Sequence, residues 1–520
     1  SGWFRLRARV PDQWAGETVV GRINFGGEAC VFSEAGEPIQ GLTGGSAFIG
    51  PFVRDRYRLF EECKGGKEVS LLVETAANEL FGVGSPLGKD PVPMPLGGGK
   101  TIGQIKYVRL CTFDEEMYRL YLDMTTLTRL MGDLPERDPW RARLRTRLHE
   151  AVCAFRHDEY NAAEVRTMIE PLLETEASGA QLRTRAVGHA HIDTAWLWPM
   201  RETVRKCART FSTQLRLTER YPGYVFGASQ ACHYAFVKEN YPGLYDRIKD
   251  AVQDGRWEVQ GAMWVEADCN VPGGESLVRQ ILYGKQFFRR EFGVDVRNLW
   301  LPDVFGYSAA LPQILRKAGV ESFITQKISW NQINNFPHHS FRWKGIDGTP
   351  VTVHFPPEDT YNSQLFPDGV RKAARNFEER GMVPEFLTLY GIGDGGGGPT
   401  ETHIELGRRQ ADLAGCPQVE FGPAQEFFDR LVDRSDDLPE WAGELYLELH
   451  RGTLTTQARN KRNNRKLELY LRRTEMLWST RPEEYPREEL RECWRTLLTN
   501  QFHDIIPGAS IGWVYEETER

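Results

Sequence analysis

Between about Arg183 and Asp433 the chain alternates short apolar runs with amphipathic stretches, and no other feature narrows the possible folds as much. Leu182 to Val187, Tyr224 to Gly227, Trp257 to Met263, Arg297 to Leu301, Ser322 to Thr325, Val351 to His354 and Phe386 to Gly391 read as buried strands. Most lead into a segment with helical periodicity, such as Glu275 to Phe292. Repeated βα units imply a parallel sheet, closed as a barrel or left open. In either arrangement ligands sit beyond the C-terminal ends of the strands. The strand ends are therefore where chemistry is expected.

The first run closes on Gly188-His189-Ala190-His191-Ile192-Asp193. Side chains two apart on a strand share a face, so His189, His191 and Asp193 can point the same way, and imidazole with carboxylate suits a cation such as Zn²⁺. Ordinary hydrogen bonding at a histidine-rich strand end explains so short a motif equally well. After Arg297 to Leu301 comes Pro302-Asp303-Val304-Phe305-Gly306, where Asp303 would be held at the sheet mouth as ligand or nucleophile, or would cap the helix that follows Ser308. After Phe386 to Tyr390 comes Gly391-Ile392-Gly393-Asp394-Gly395-Gly396-Gly397-Gly398. Asp394 supplies a second carboxylate, and the glycines read as a close-approach loop, a lid or a flexible surface loop. Asp268 follows the Trp257 run.

The flanks have other rhythms. Residues 1–110 are rich in Gly and Pro, with β-type runs such as Thr18 to Ile23 and Glu68 to Glu74, and predict a β-rich domain. The stretch Pro91 to Thr101 ends like a phosphate loop but lacks the earlier glycine, and reads as a turn-rich connection. Residues 111–180 show helical periodicity, with His149 and His157 as surface or packing residues, and predict a helical linker bracing the next domain. Residues 181–435 form the α/β domain. Residues 436–520 predict a helical bundle from Gln457 to Leu477 and Pro486 to Leu498, the second helix ending at His503-Asp504 before Pro507-Gly508. His503 there is a further ligand or a helix-end cap.

Composition excludes some classes. With 65 basic and 72 acidic residues and no long single-sign run, a nucleic-acid partner is not expected, and a neutral, hydroxyl-rich substrate fits better. No apolar run approaches the roughly 18 residues of a membrane helix. The nine cysteines have no Cys-x-x-Cys spacing, so reduced thiols and a cytoplasmic location are expected.

Taken together, His191-Ile192-Asp193-Thr194-Ala195-Trp196, Pro302 to Gly306, Gly393-Asp394-Gly395 and Gln501-Phe502-His503-Asp504 resemble the family 38 glycoside hydrolases, the class II α-mannosidases, and most closely their cytosolic and bacterial branch. The resemblance spans about Arg183 to Gly508. It implies a (β/α)-barrel-like catalytic domain that cleaves α-mannosides with retention, using one zinc ion. It further implies His191, Asp193, Asp303 and His503 as metal ligands, Asp303 also as nucleophile, and Asp394 as general acid/base. Trp196 and Phe305 match aromatic residues of the sugar site. Tyr361, Asp268 and Asp504 are further sugar contacts, Lys327 stands where another branch has a substrate-contacting Arg, and His189 should support the ligands from behind. Family members usually continue into C-terminal β domains, expected here either as a separate chain or as absent, and a homo-oligomer is compatible with the resemblance.

Two readings compete. In a metal-dependent amidohydrolase, His189 and His191 would be a His-x-His metal pair and His354 a further ligand. A non-catalytic carbohydrate-binding protein would need neither buried metal nor paired carboxylates.

Overall fold

The computed structural model describes residues 2–43, 52–76, 105–179 and 181–520, so the Pro91 to Thr101 connection lies outside the described residues. The N-terminal part is antiparallel throughout. One sheet orders Gly2–Arg9, Glu68–Ala76, Glu28–Phe32 and Pro38–Thr43; the other places Val19–Asn24 between Arg56–Phe60 and Tyr107–Thr112. Ile23, Ala29, Val31, Leu42 and Val73 pack between them as a small core. The expected runs at Thr18 and Glu68 are both strands here.

Three helices follow, Glu115–Asp133, Pro139–Ala154 and Ala162–Leu173. Asp114 caps the first by accepting from Met117 N, and Asp138 caps the second ahead of Pro139, so each start is set by side-chain chemistry. Their leucines share a core with Leu413 and Cys416 of the next domain, which is how the linker braces it. His149 and His157 lie on the exposed side.

From Arg183 onward the chain builds two sheets, one all parallel and one mixed. Arg183–His189 is flanked by Glu385–Tyr390 on one side and, on the other, by Gln418–Phe421 against its first half and Phe226–Ala228 against its end; Trp257–Val259 continues that sheet, all parallel. In the second sheet Asn298–Trp300, Ser322–Ile324 and Pro350–His354 run parallel, Ser340–Lys344 is antiparallel, and Glu440–Ala442 closes the edge. No ladder joins the two sheets among the described residues. Side chains join them instead: Asn298 Oδ1 accepts from Gly261 N (3.1 Å), and His354 Nε2 accepts from Leu387 N (3.1 Å). The two sheets are thus joined by side-chain-to-backbone hydrogen bonds rather than by a ladder.

The expected strand Trp257 to Met263 stops at Val259, because Gly261 and Ala262 take left-handed conformations (φ 92° and 57°) and turn the chain into the mouth of the sheets. Its continuation, Met263 to Cys269, is buried and includes the polar side chains of Glu266 and Asp268. Gly274–Phe292, Ala458–Trp478 and Arg487–Asn500 pack together, with Gln280 Nε2 donating to Leu498 O (2.8 Å) and Gln501 Nε2 to Ser276 Oγ (2.9 Å). The last two helices were expected, and they hold the segment after Asn500 against the strand ends. No helix among the described residues is long and apolar enough to cross a membrane.

Candidate active site

The lead strand ends at His189 and delivers Ile192 into a bridge with Gly395, so the His191-x-Asp193 motif lies against the glycine loop. Asp193 N donates to Asp394 O (2.9 Å), a backbone bond that fixes the two acids in register. On the far side, Phe502 pairs with Ala267 and Asp268 N donates to Gln501 O (3.0 Å), which brings His503 to the same mouth. His503 Nδ1 donates to Glu266 O (2.8 Å), leaving Nε2 as the electron-pair donor.

One atom each from His191, Asp303 and His503 lies within 4.8 Å of the others, as do atoms of His191, Asp193 and Asp394 and of Asp193, His503 and Asp504. His191 Nε2, Asp193 Oδ1 and His503 Nε2 are buried and make no hydrogen bond. His191 Nε2 is 2.9 Å from Asp193 Oδ1, and His503 Nε2 is 3.5 Å from Asp193 Oδ1 and 3.9 Å from Asp303 Oδ2. Buried polar atoms this close, yet misaligned for hydrogen bonds, fit electron-pair donors facing a shared cation. Two imidazoles and two carboxylates form a donor set that suits a borderline divalent metal.

The surroundings orient this group. His191 Nδ1 lies 2.8 Å from Glu266 Oε2, and Ser229 donates to the other oxygen of Glu266 (2.6 Å). Glu266 was not anticipated, although a charge inside the apolar run Trp264 to Ala267 signals it. His189 donates from Nε2 to Tyr361 O (2.6 Å) and stays outside the group, as a supporting residue would; burial lowers its pKa to about 4 and keeps it neutral. Tyr361 in turn donates its hydroxyl to Asp394 Oδ1 (2.7 Å) with its ring edge-on to His191.

Asp303 does not cap a helix, since the next one begins at Leu311; its Oδ1 is 2.7 Å from Lys327 Nζ. Lys327 also lies over the rings of Phe305 and Trp330, and Phe305 meets His503 edge-on with centroids 5.6 Å apart. Asp394 sits at φ 58°, a left-handed conformation that an aspartate holds only where neighbours enforce it. Burial first, then the charges of Asp193 and Asp303, push its pKa up to about 6. Asp504 is buried beside Asp193 and His503, and burial raises its pKa well above the usual carboxylate range.

Two expected sugar contacts are placed less centrally. Asp268 is buried, but its Oδ1 accepts from Asn270 N and Val271 N in a local turn. Trp196 is half-buried, with its ring 6.0 Å from that of Trp198 and its carbonyl accepting from Ile511 N.

The glycine loop is neither a lid nor a flexible surface loop. Ile392 and Gly398 exchange backbone hydrogen bonds, Gly397 N donates to Thr210 Oγ1 (2.8 Å), and Gln214 Nε2 donates to Gly397 O (2.6 Å). Arg54 of the β-rich domain donates to Gly398 O from below. A Cβ at Gly397 would fall 1.7 Å from Arg54 Nη1, and its φ of 110° adds strain, so glycine is what lets the loop close on this guanidinium.

His354, the ligand an amidohydrolase reading requires, has both nitrogens engaged: Nδ1 with Ser340 Oγ (2.9 Å) and Nε2 with Leu387 N. It joins the two sheets. All nine cysteines are free thiols.

Comparison with known proteins gives one direction. Residues 181–444 match the glycosyl hydrolases family 38 N-terminal domain, residues 448–520 an alpha mannosidase middle domain, and residues 1–116 an alpha-mannosidase jelly roll domain. Over 99% of its length the chain is 40% identical to "Alpha-mannosidase G" of Dictyostelium discoideum, of which it covers 47%, and 39% identical to human "Alpha-mannosidase 2C1", of which it covers 49%. The chain thus spans about half the length of the curated relatives it matches. A solved alpha-mannosidase from Enterococcus faecalis V583 shares the fold, with a TM-score of 0.57 at 20% identity over 65% of this chain and 40% of that one.

Proposed function

Because the chain belongs to glycosyl hydrolase family 38, we propose that it is a retaining exo-α-mannosidase that removes α-linked mannose from oligosaccharides or glycans. The observation that carries this reading is three overlapping groups of possible ligand atoms, each within 4.8 Å of one another: His191, Asp303 and His503; His191, Asp193 and Asp394; and Asp193, His503 and Asp504. Of these, His191, Asp193, Asp303 and His503 would hold one zinc ion, which when bound fixes the sugar 2- and 3-hydroxyls and stabilises developing charge.

The residues of the chain divide the remaining work. Asp303 attacks the anomeric carbon and forms a covalent mannosyl ester as the glycosidic bond breaks. Lys327, at 2.7 Å, holds the Asp303 carboxylate in one orientation and offsets its charge between turnovers. Asp394, with its pKa near 6, starts protonated in part of the population and gives its proton to the leaving oxygen. It then takes a proton from the water that cleaves the ester. Tyr361 aims Asp394, Phe305 walls the sugar site beside His503, and Asp504 contributes a hydrogen bond to the sugar; Trp196 and Asp268 are outer contributors.

We divide the chain at 1–110, 111–180, 181–435 and 436–520, with the last part supplying the His503 ligand. The free cysteines support a cytoplasmic location. The deciding experiment is hydrolysis of a chromogenic α-mannoside before and after chelation, with zinc added back. Undiminished hydrolysis after verified metal removal would defeat the metal part of the proposal, and no hydrolysis by the zinc-loaded chain would defeat the activity.

A further inference from the structure

A cavity of about 350 Å³ lies at the seam between the β-rich domain and the Met200–Arg220 helix, and it shares no residue with the His191 to His503 group. Five arginines line it, Arg54, Arg56, Arg58, Arg216 and Arg220, against three glutamates. The glutamates are already committed. Glu401 alone serves Arg56 (2.5 Å), Arg220 (3.0 Å) and Arg58 (3.8 Å), and also accepts from the Tyr221 hydroxyl (2.9 Å). Glu219 turns to Arg247 (3.2 Å), and Arg58 Nη1 is shared between Glu61 (2.8 Å) and Glu115 (2.5 Å).

Arg58 is the informative member. Its side chain is 9% exposed, and its Nε and Nη2 are buried without a hydrogen-bond partner. An interdomain ion-pair network that was complete in itself would fill the space and satisfy these donors. Here there is both room and unmet donor capacity.

We propose that this cavity binds a phosphate group. Its tetrahedral oxygens accept from several guanidinium forks at once, and the five arginines that line the space outnumber its three lining glutamates. A carboxylate would offer fewer acceptors and half the charge. The shared chemistry is that of inorganic phosphate and of a sugar monophosphate, whose remainder would extend toward the exposed Glu219 and Arg220. Bound there, the anion ties Arg58 of the β-rich domain to Arg216 and Arg220 of the catalytic domain.

The test is calorimetric titration of the full zinc-loaded chain at constant ionic strength with inorganic phosphate, a hexose 6-phosphate, sulfate and chloride. The expected result is saturable binding of one phosphate per chain, weakened about tenfold or more in Arg58→Lys, which keeps the charge but loses the fork, and in the surface variant Arg220→Gln. Tighter binding of the hexose phosphate than of phosphate assigns the site to a sugar phosphate; equal binding assigns it to the free anion. Absence of saturable binding at millimolar phosphate overturns the proposal. So does binding that survives both substitutions, or that is lost on chelation but not in Arg58→Lys, since the anion then sits elsewhere.

Discussion

Lys327 Nζ lies 2.7 Å from Asp303 Oδ1, and both residues are buried at the mouth of the second sheet. The pair makes the proposed nucleophile depend on a cation supplied by a different strand end. Asp303→Asn should abolish turnover, by at least about 10⁴-fold, and a 5-fluoro mannosyl fluoride should label Asp303 in the unmodified protein. Peptide mapping checks this; a stable label on another carboxylate rejects the role. Lys327→Met should lower kcat by about 10- to 100-fold while the chain stays folded, because a neighbouring charge is lost rather than the attacking oxygen.

For Asp394 the test is substrate dependence. Asp394→Ala should slow a mannobiose far more than a dinitrophenyl mannoside, and azide should restore turnover with a mannosyl azide of retained configuration. Equal losses with no rescue would move the acid/base role to Asp504 or Asp268.

The Tyr361 hydroxyl stabilises the ionised form of Asp394, so its removal should raise the Asp394 pKa further. The general acid must be protonated, and the rate falls as pH rises through that pKa. Tyr361→Phe should therefore shift the alkaline limb of the kcat/KM profile to higher pH, as read from a rate profile between pH 4 and 9. A limb unmoved or shifted downward contradicts the assignment.

Glu266 Oε2 lies 2.8 Å from His191 Nδ1, as an ion-pair contact without an aligned hydrogen bond. Glu266→Gln should weaken metal affinity by about 10- to 100-fold, the usual effect of removing a carboxylate behind a ligating imidazole. Competition against a zinc indicator measures it. His191→Ala with His503→Ala should remove bound metal altogether.

Far from the site, Glu258 accepts from Ala424 N (2.7 Å) and Gln425 N (2.8 Å) at the start of a helix, yet burial moves its pKa from 4.5 to about 7. The folded state thus binds this proton more tightly than the unfolded state. Stability attributable to the group is present below about 4.5 and is lost as pH rises toward 7. The residue is partly accessible, so the effect is about 1–2 kcal/mol rather than the full shift. The stability of Glu258→Gln relative to the parent, from urea unfolding, should rise by that amount between pH 4.5 and 7.

Much of the site was readable before the fold. His191, Asp193, Asp303, Asp394 and His503 each follow an apolar run or a helix end, and side chains just past such elements are brought to one mouth by parallel topology. Helices were readable to within a residue or two because caps and periodicity are local signals. Relationships set by tertiary approach were not. Arg54 meets Gly398 across 344 residues, and nothing local marks either as a partner. The antiparallel strand Ser340–Lys344 did carry a signal, the alternation that buries Phe341 and Trp343, but short polar-flanked runs do not announce their direction. The glycine run left close approach, a lid and a flexible loop all open, because composition reports what a backbone can do, not what packs against it.

The position of His503 also bears on how the protein is made. At about 5–20 residues per second, His503 leaves the ribosome roughly 15–60 s after His191 and Asp193. During that interval the proposed ligands already made, His191, Asp193 and Asp303, would lack the second imidazole of the set. The imidazole that closes the group arrives with a helix docked on the Gly274–Phe292 helix and anchored to Glu266 O. If the proposed ligand set holds a metal, the complete group exists only once this late segment has docked, so the full coordination shell would form near the end of synthesis of the described chain.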